Sequence, residues 1–248
     1  MTSPQAVIES EPIRANLERV HEEIERAARG AGRPADAVRL IVVTKAQPLE
    51  KIVAAYNAGA RLFGENYPEE TQHKIEASQR LAGIEWHMIG HLQSRKAKVV
   101  AKHFHMLHSL DSLSLAQKLE RLLAETGRVL PVLIEVNVGG EETKGGYAAW
   151  DEAHWDAMLP EIEAILALEH LQVRGLMTMP PYLEDADQVR PYFQRTRALR
   201  DFLQGRFPRA NWDELSMGTS VDFRVAIEEG ATYVRVGTAI VGPRPPKV

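Results

Sequence analysis

One lysine of the sequence stands where α/β proteins commonly place their chemistry. Lys45 directly follows residues 40–44, which are all apolar or β-branched, and Pro48 comes three residues later. A short apolar run that ends near a proline predicts a buried strand of a parallel sheet. Lys45 would therefore lie at the carboxyl end of the first strand, the edge that carries the sites of α/β proteins. A lysine there can form a salt bridge, bind a phosphate or act as an amine nucleophile that forms a Schiff base.

Two loops far along the sequence indicate an anion site. Residues 216–220 read Ser-Met-Gly-Thr-Ser, and residues 237–239 read Gly-Thr-Ala. Small residues allow backbone N–H groups to approach an anion, and the hydroxyl groups add further donors. In (β/α)8 barrels the loops after the seventh and eighth strands often hold a phosphate. Glycines that only close turns are the alternative, but two such loops at the expected strand ends favour a phosphate site.

A phosphate site beside a strand-end lysine suits pyridoxal 5′-phosphate (PLP). The phosphate of PLP anchors the molecule, and its aldehyde condenses with an amine. The amine must be neutral for part of the time, which burial or a neighbouring cation promotes by lowering the pKa of the lysine. The pattern leaves two alternatives open, a purely structural lysine and a Schiff-base aldolase that works without a cofactor.

These segments fall within a regular alternation of strands and helices. The predicted strands are residues 40–44, 61–64, 84–89, 104–108, 129–137, 171–176, 214–217 and 232–236. The predicted helices include residues 68–81, 95–102, 113–124, 150–168, 185–203 and 221–228. Eight strand–helix alternations predict an α/β fold, a single (β/α)8 TIM-like barrel over residues 1–248. An amphipathic helix at residues 8–31 precedes the first strand and would lie outside the barrel.

Composition and charge limit the classes of function. The 248 residues are 44% hydrophobic, which is enough for one globular domain with a substantial core. The net charge of −4 gives no indication of a nucleic acid or an acidic membrane as a partner. The sequence contains no cysteine, which excludes disulfides and thiolate metal sites and is typical of the reducing cytoplasm. We expect neither a signal peptide nor a membrane span, since no apolar run approaches about 18 residues.

The histidines do not indicate a metal site. Five of them lie close together in the sequence: His87, His91, His103, His105 and His108. The spacing of His103 and His105 imitates a metal-binding pair, but no pattern of carboxylates accompanies it. We therefore predict that these side chains serve packing or hydrogen bonding and that the protein binds no metal.

Motifs spread in order over nearly the whole chain resemble the pyridoxal phosphate homeostasis protein family. They include residues 43–48, 63–67, 86–96, 108–111, 135–146, 175–178, 215–223 and 234–240. The resemblance implies a single barrel similar to the N-terminal domain of bacterial alanine racemase. Gln47 stands where many members of the family have a second lysine, which argues against a relay of PLP through that position.

The same resemblance implies a set of cofactor-binding residues. PLP would form an imine with Lys45, and Arg235 would lie near the cofactor, at either the pyridine nitrogen or the phosphate. The other implied contacts are Ser216, Gly237 and Thr238 to the phosphate, the backbone of Met217 and Gly218, and Asn66 and His87 around the ring. An arginine at the ring nitrogen cannot give up its proton, so it would leave that nitrogen unprotonated and weaken PLP as an electron sink.

The implied function is intracellular PLP homeostasis without substantial turnover. As a monomer, the protein would hold PLP in a reactive but protected state and deliver it to apo-enzymes. A PLP-dependent amino-acid racemase or decarboxylase is the alternative. Racemases of the related fold use a further β-domain that supplies a catalytic tyrosine, and we expect that domain to be lacking because the sequence ends at Val248. A cofactor-free aldolase would differ from both in being colourless.

Overall fold

A closed barrel of eight parallel strands forms the centre of the computed structural model, which describes residues 4–244 and the side chains of residues 10–244. The strands are β1 (Arg39–Val43), β2 (Leu62–Glu65), β3 (Glu85–Met88), β4 (Met106–Leu110), β5 (Leu130–Asn137), β6 (Leu171–Thr178), β7 (Glu214–Thr219) and β8 (Tyr233–Val236). Their order around the barrel follows the sequence, and β8 pairs with β1 to close it. The predicted (β/α)8 barrel is therefore confirmed.

Helices surround the barrel. They are α1 (Pro4–Gly30), α2 (Leu49–Asn57), α3 (Pro68–Ala77), α4 (Ala97–His103), α5 (Leu113–Ala124), α6 (Trp155–Leu166), α7 (Arg190–Arg206), α8 (Phe223–Glu228) and α9 (Thr238–Val241). Short 3-10 helices precede α4, α6 and α7, where the sequence predicted continuous α-helix: Ser94–Lys96, Glu152–His154 and Ala186–Val189. The first turn of a helix has no i−4 partners for its N–H groups, so tighter 3-10 bonding is favoured there.

Four strands end later than the sequence predicted: β2 and β4 end at Glu65 and Leu110 instead of residues 64 and 108, and the other two are β6 and β7. β6 continues to Thr178 and β7 continues to Thr219, whereas the predicted ends were residues 176 and 217. The extension of β7 matters most, because it moves residues of the predicted phosphate loop into the barrel wall. A further strand, Tyr147–Ala148, pairs with the end of β5 and was not predicted, since two residues show no periodicity.

Helix α1 lies outside the barrel, as predicted. It covers the side of the barrel where the last helix, α9, is short. Its predicted apolar stripe is buried and consists of Ile13, Leu17, Val20, Ile24 and Ala28. The stripe packs against α2, α8 and α9. Asn16 also donates a hydrogen bond from Nδ2 to the carbonyl of Ile240, at 3.1 Å. Within residues 4–244, no helix is both long enough and apolar enough to cross a membrane.

The interior of the barrel changes character along its axis. Toward the amino ends of the strands it is filled by an apolar plug, which consists of Ile41, Met106, Leu133, Met177 and Tyr233. Such layers of inward-facing side chains are how small barrels fill their centres. Toward the carboxyl ends the inward side chains become polar and leave a cavity at the mouth. The candidate site lies next to the apolar plug, on the side of the carboxyl ends of the strands.

Candidate functional site

A cavity of about 420 Å³ opens at the carboxyl ends of the strands. Five of the predicted site residues line it: Lys45, Asn66, Arg235, Gly237 and Thr238. Pairing of β1 with β8 brings the first-strand lysine beside the loop that follows the last strand. A larger cleft, of about 490 Å³, lies at the opposite end of the barrel beside residues 206–211. That cleft is lined by apolar groups, two arginines and two amides, so it offers no nucleophile or general base.

Lys45 lies two residues after the end of β1 and is half-buried. Burial lowers the pKa of its amine, Arg244 and Arg235 lower it further, and Glu65 acts in the opposite direction. A lowered pKa increases the fraction of neutral amine, which is the form that attacks a carbonyl. The next residue, Ala46, has a φ of 56°, a conformation that residues with a side chain rarely adopt. This backbone conformation was not predicted.

A buried ion pair supports the backbone behind Lys45. Lys74, on α3, donates to the carboxylate of Glu65 at 2.8 Å and to the carbonyl of Thr44 at 3.0 Å. The hydroxyl of Thr44 donates to the same carboxylate oxygen at 2.8 Å. The pKa of Glu65 is raised by burial, against the effect of Lys74. The network therefore joins the ends of β1 and β2 to a surrounding helix, and it fixes the position of the backbone from which Lys45 extends.

Small residues line the cavity wall beside Lys45. Ser220 accepts a hydrogen bond at its Oγ from the backbone N–H of Gly237, at 3.2 Å. A Cβ added at Gly237 would approach the carbonyl oxygen of Val43 to 3.2 Å, so a side chain there would crowd β1. Thr219 is held by Asp222, whose Oδ1 accepts from both its N–H and its hydroxyl. Thr219 and Ser220 line the cavity, although sequence reasoning named other residues of this loop.

Four predicted residues do not line the cavity. The strand geometry of β7 directs Met217 outward into the core between strands and helices. Gly218 packs against α8, where an added Cβ would lie 2.6 Å from that of Ala226. The side chains of Ser216 and His87 point inward but are buried below the cavity floor. Because β7 extends to Thr219, Gly218 also belongs to the strand rather than to an anion-binding loop, as the predicted strand already implied for residues 216 and 217.

Arg235 forms part of the cavity floor and is buried. Its Nη1 donates to the hydroxyl of Ser216 at 2.7 Å, and its Nη2 donates to the carbonyl of Thr178 at 2.9 Å. Burial lowers the pKa of Arg235 to about 10, against the effects of Asp222 and Glu135. The guanidinium therefore stays charged at neutral pH. Its side chain points inward on β8, because it alternates with Val234 and Val236, which pack in the core between the strands and the helices.

Glu135 is a cavity residue that sequence reasoning did not name. Burial and the nearby Asp111 raise the pKa of its carboxyl to about 7, while His91 and Arg235 act against them. Its Oε2 is buried and has no hydrogen-bond partner among the described residues, and the same is true of Oδ1 of Asn66. The sequence could have indicated Glu135 only by its acidic side chain within the mostly apolar strand predicted at residues 129–137.

The rim of the cavity is formed by loops. Met179, Tyr182 and Val221 line it and are exposed. Arg244 also lines it, and the segment before this arginine is held by Gln47, which donates to the carbonyl oxygens of Gly242 and Pro243. Exposed loop residues follow no periodic pattern, so the sequence could not identify the rim. The side-chain amide of Gln47 therefore holds this backbone segment in place, and it does not supply the second amine that a lysine at this position would bring.

Known proteins share both this sequence and this fold. Residues 15–245 match the family described as alanine racemase, N-terminal domain. The chain is 45% identical over 228 residues to the pyridoxal phosphate homeostasis protein of Aquifex aeolicus, covering 92% of this chain and 96% of that protein. PipY of Synechococcus elongatus PCC7942, solved with PLP bound, is similar with a TM-score of 0.76 and 37% identity, covering 89% of this chain and 100% of that chain.

A more distant structure shares the fold. An alanine racemase of Clostridium difficile 630, in complex with cycloserine, is similar with a TM-score of 0.69 and 16% identity, covering 96% of this chain and 60% of that chain. Fold and sequence thus place the chain in a class, the barrels of the alanine racemase N-terminal type. Within that class, the chain belongs to the pyridoxal phosphate homeostasis protein family.

Proposed function

We propose that this protein binds PLP at the mouth of the barrel and keeps it available in the cell, without substantial catalytic turnover. PLP would supply an aldehyde that forms a Schiff base with Lys45. The observation that carries the proposal is a half-buried lysine in a cavity at the end of β1, with a pKa lowered by burial and by two arginines. The name of the Aquifex aeolicus relative and the PLP in PipY support the same ligand.

The polar groups of the cavity suit the different parts of PLP. Ser220, Gly237 and Thr238 present small side chains and hydroxyls along one wall, where they would hold the phosphate. Arg235 would face the ring nitrogen as a permanent donor. The amide of Asn66, whose Oδ1 has no partner within the described residues, would be satisfied by a polar group of the ring. In this assignment Thr219 and Ser220 take the place of Ser216, Met217 and Gly218.

A PLP-dependent racemase or decarboxylase is the second candidate, and one observation favours it. Glu135, whose pKa is raised to about 7, could exchange protons near neutral pH. Two features favour the carrier instead. Arg235 would weaken the ring as an electron sink. Neither Tyr67 nor Tyr233 could act as an acid–base group in the cavity, because Tyr233 lies in the apolar plug and Tyr67 is not among the cavity residues.

The visible spectrum of the purified protein tests the proposal. We expect a yellow protein, and after borohydride reduction we expect mass spectrometry to find the pyridoxyl label on Lys45. Lys45→Arg keeps the charge and should abolish the label, whereas Lys98→Ala removes an exposed lysine of α4 and should not affect it. A colourless protein that takes up no added PLP would contradict the proposal and favour the cofactor-free aldolase.

Turnover and partners need separate measurements. If the protein is a carrier, no racemised or decarboxylated product accumulates when it is incubated with amino acids. Accumulation of product at a rate that depends on Glu135 would favour the enzyme. We also propose that the protein is a cytoplasmic monomer that passes PLP to apo-enzymes. Light scattering would test the monomer, and activation of an apo-enzyme by the PLP-loaded protein would test the transfer.

A further inference from the structure

A line of hydrogen bonds runs through the barrel below the cavity floor. Arg235 donates to the hydroxyl of Ser216 at 2.7 Å, and that hydroxyl lies 2.8 Å from Nδ1 of His108. Nε2 of His108 lies 2.9 Å from Nδ1 of His87, and Nε2 of His87 lies 3.5 Å from the carboxylate of Glu85. These five residues, here called the axial relay, extend from the cavity to the amino end of β3.

The two ends of the axial relay fix the direction of its hydrogen bonds. A guanidinium only donates, so Arg235 makes Ser216 an acceptor and leaves the serine proton free to point to His108. At the other end the ionised carboxylate of Glu85 only accepts, so His87 must carry its proton on Nε2. The pKa of Glu85 is lowered by this hydrogen bond, which keeps the carboxylate ionised. Nδ1 of His87 then accepts from Nε2 of His108.

The surroundings of His108 keep its imidazole ring neutral. His108 is fully buried, and burial lowers its pKa well below the ordinary value, with further contributions from His87, Arg235 and Arg39. Tyr233 of the apolar plug packs edge-on against both imidazole rings, with centroid distances of 5.8 Å to His87 and 5.1 Å to His108. A neutral imidazole has one donor and one acceptor, which is what a line with a single direction requires.

We propose that Ser216 and His108 are positioning residues that hold the guanidinium of Arg235 in one orientation toward the cavity. Without them, Nη1 would lack its acceptor below the floor, and the guanidinium could turn. Three of its five N–H groups are used by Ser216, Thr178 and Met179. The other two have no partner among residues 4–244 and remain for a ligand in the cavity. The effect on PLP rests on the proposed function, whereas the relay itself is a property of the protein alone.

The relay can be tested without any ligand. Nitrogen-15 spectra of histidine-labelled protein at pH 7 report which ring nitrogen carries the proton. The expected result is that Nε2 carries the proton in both His87 and His108, and that Nδ1 of each ring accepts a hydrogen bond. A proton on Nδ1 of His108, or a charged His108 ring, would overturn the direction of the relay. This outcome does not depend on whether the protein binds PLP.

The positioning role is tested with PLP. Ser216→Ala and His108→Leu should each weaken PLP affinity about tenfold, because Arg235 loses a buried partner or its support. Each should also shift the absorption band of the bound cofactor. The controls Ser78→Ala and Met106→Leu alter buried residues outside the relay and should leave both readouts unchanged.

The possible outcomes distinguish the positioning role of Ser216 and His108 from the proposed function of binding PLP. If both relay variants bind PLP with the wild-type affinity and band, the positioning role is wrong even though the proposed function stands. If the relay variants and the controls lose affinity equally and show the same band, the effect is one of general packing and the positioning role is also wrong. If the wild-type protein takes up no PLP, the proposed function fails, and the nitrogen-15 spectra still decide whether the relay exists.

Discussion

A buried carboxylate at one end of the barrel has charged partners, whereas the reactive amine at the other end has none among the described residues. At the amino end, the carboxylate of Glu214 is bridged by Arg39 at 2.8 Å and by Arg174 at 3.3 Å, beside the apolar plug. At the carboxyl end, the amine of Lys45 has no ion pair within residues 4–244. The charges that lower its pKa, those of Arg235 and Arg244, repel it. Opposite charges therefore meet around Glu214, whereas like charges lie close to the amine of Lys45.

The difference shows how one closed sheet can serve stability and reactivity at once. The amino end buries apolar area and pairs its charges, which favours folding. The mouth contains a neighbour of Lys45 in an unusual conformation, Ala46, and two unpartnered buried oxygens, on Asn66 and Glu135. Buried atoms with no partner within the described residues also occur at the amino end, on Oε2 of Glu214 and Nε of Arg174, so the unusual backbone conformation of Ala46 is what distinguishes the mouth. The strands hold both ends in fixed register, so the cost at the mouth is offset elsewhere in the same barrel.

Removing the buried cation behind the mouth should have the largest effect. Lys74→Ala leaves the fully buried carboxylate of Glu65 without its partner, so we expect the free energy of unfolding to fall by about 3–5 kcal/mol. Urea denaturation at pH 7 measures this. The control, Arg29→Ala, removes an exposed pair with Glu25 and should cost about 0.3–0.5 kcal/mol. Equal losses would show that the mouth does not depend on its buried ion pair.

A cavity in the apolar plug should lower stability without affecting the ligand. Leu133→Ala removes a fully buried side chain, and we expect a loss of about 2–5 kcal/mol in the free energy of unfolding. PLP affinity, measured by titration, should stay close to that of the wild type. Met177→Leu conserves volume and should cost less than about 1.5 kcal/mol. A large loss of PLP affinity in Leu133→Ala would show that the two ends are not independent.

The carboxyl of Glu135 should make stability depend on pH. Its pKa is about 7 in the folded protein against an ordinary 4.5, so the folded state binds more protons than the unfolded state between these values. Stability should therefore fall as pH rises through that window, by at most about 3 kcal/mol. Glu135→Gln should remove this dependence, whereas Glu163→Gln, on the exposed face of α6, should not. Urea denaturation at pH 5 and pH 8 would reveal an unchanged slope if the expectation is wrong.

Removing one repelling charge from the rim should have the smallest effect. Arg244→Ala should raise the pKa of Lys45, because one of the cations that lower it is gone. PLP uptake, followed by absorbance, should then need a slightly higher pH. Arg224→Ala, on the outside of α8, is the control and should leave the pH profile unchanged. A profile that moves to lower pH would show that Arg244 acts on the ligand rather than on the amine.

The barrel could be predicted because its signals are local and repeated. Each buried strand is a short apolar run, and the chain order of eight such runs defines the fold. Lys45 followed from the same pattern, since the residue after a buried parallel strand lies at the carboxyl edge of the sheet. The amphipathic stripe of α1 was equally clear, from Ile13 to Ala28. These predictions needed only periodicity and chain order.

The inner arrangement of the site could not be predicted, because it depends on where strands end and which way side chains point. Two further residues in β7 turn Gly218 and Thr219 from loop residues into strand residues. Nothing in the spacing of the histidines shows that His87 and His108 face each other across neighbouring strands at 2.9 Å. That contact is set by the register of β3 and β4, which the sequence of either strand alone does not encode.

The closure of the barrel also determines when the binding cavity can exist during synthesis. Its walls come from both ends of the chain, from Lys45 after β1 and from Gly237 and Thr238 after β8. A ribosome makes these segments nearly two hundred residues apart. Until β8 has emerged, one edge of β1 has no partner and the wall beside the lysine is missing. The complete cavity therefore forms only after β8 has been made, and until then the nascent chain exposes an unpaired strand edge of the kind that favours aggregation.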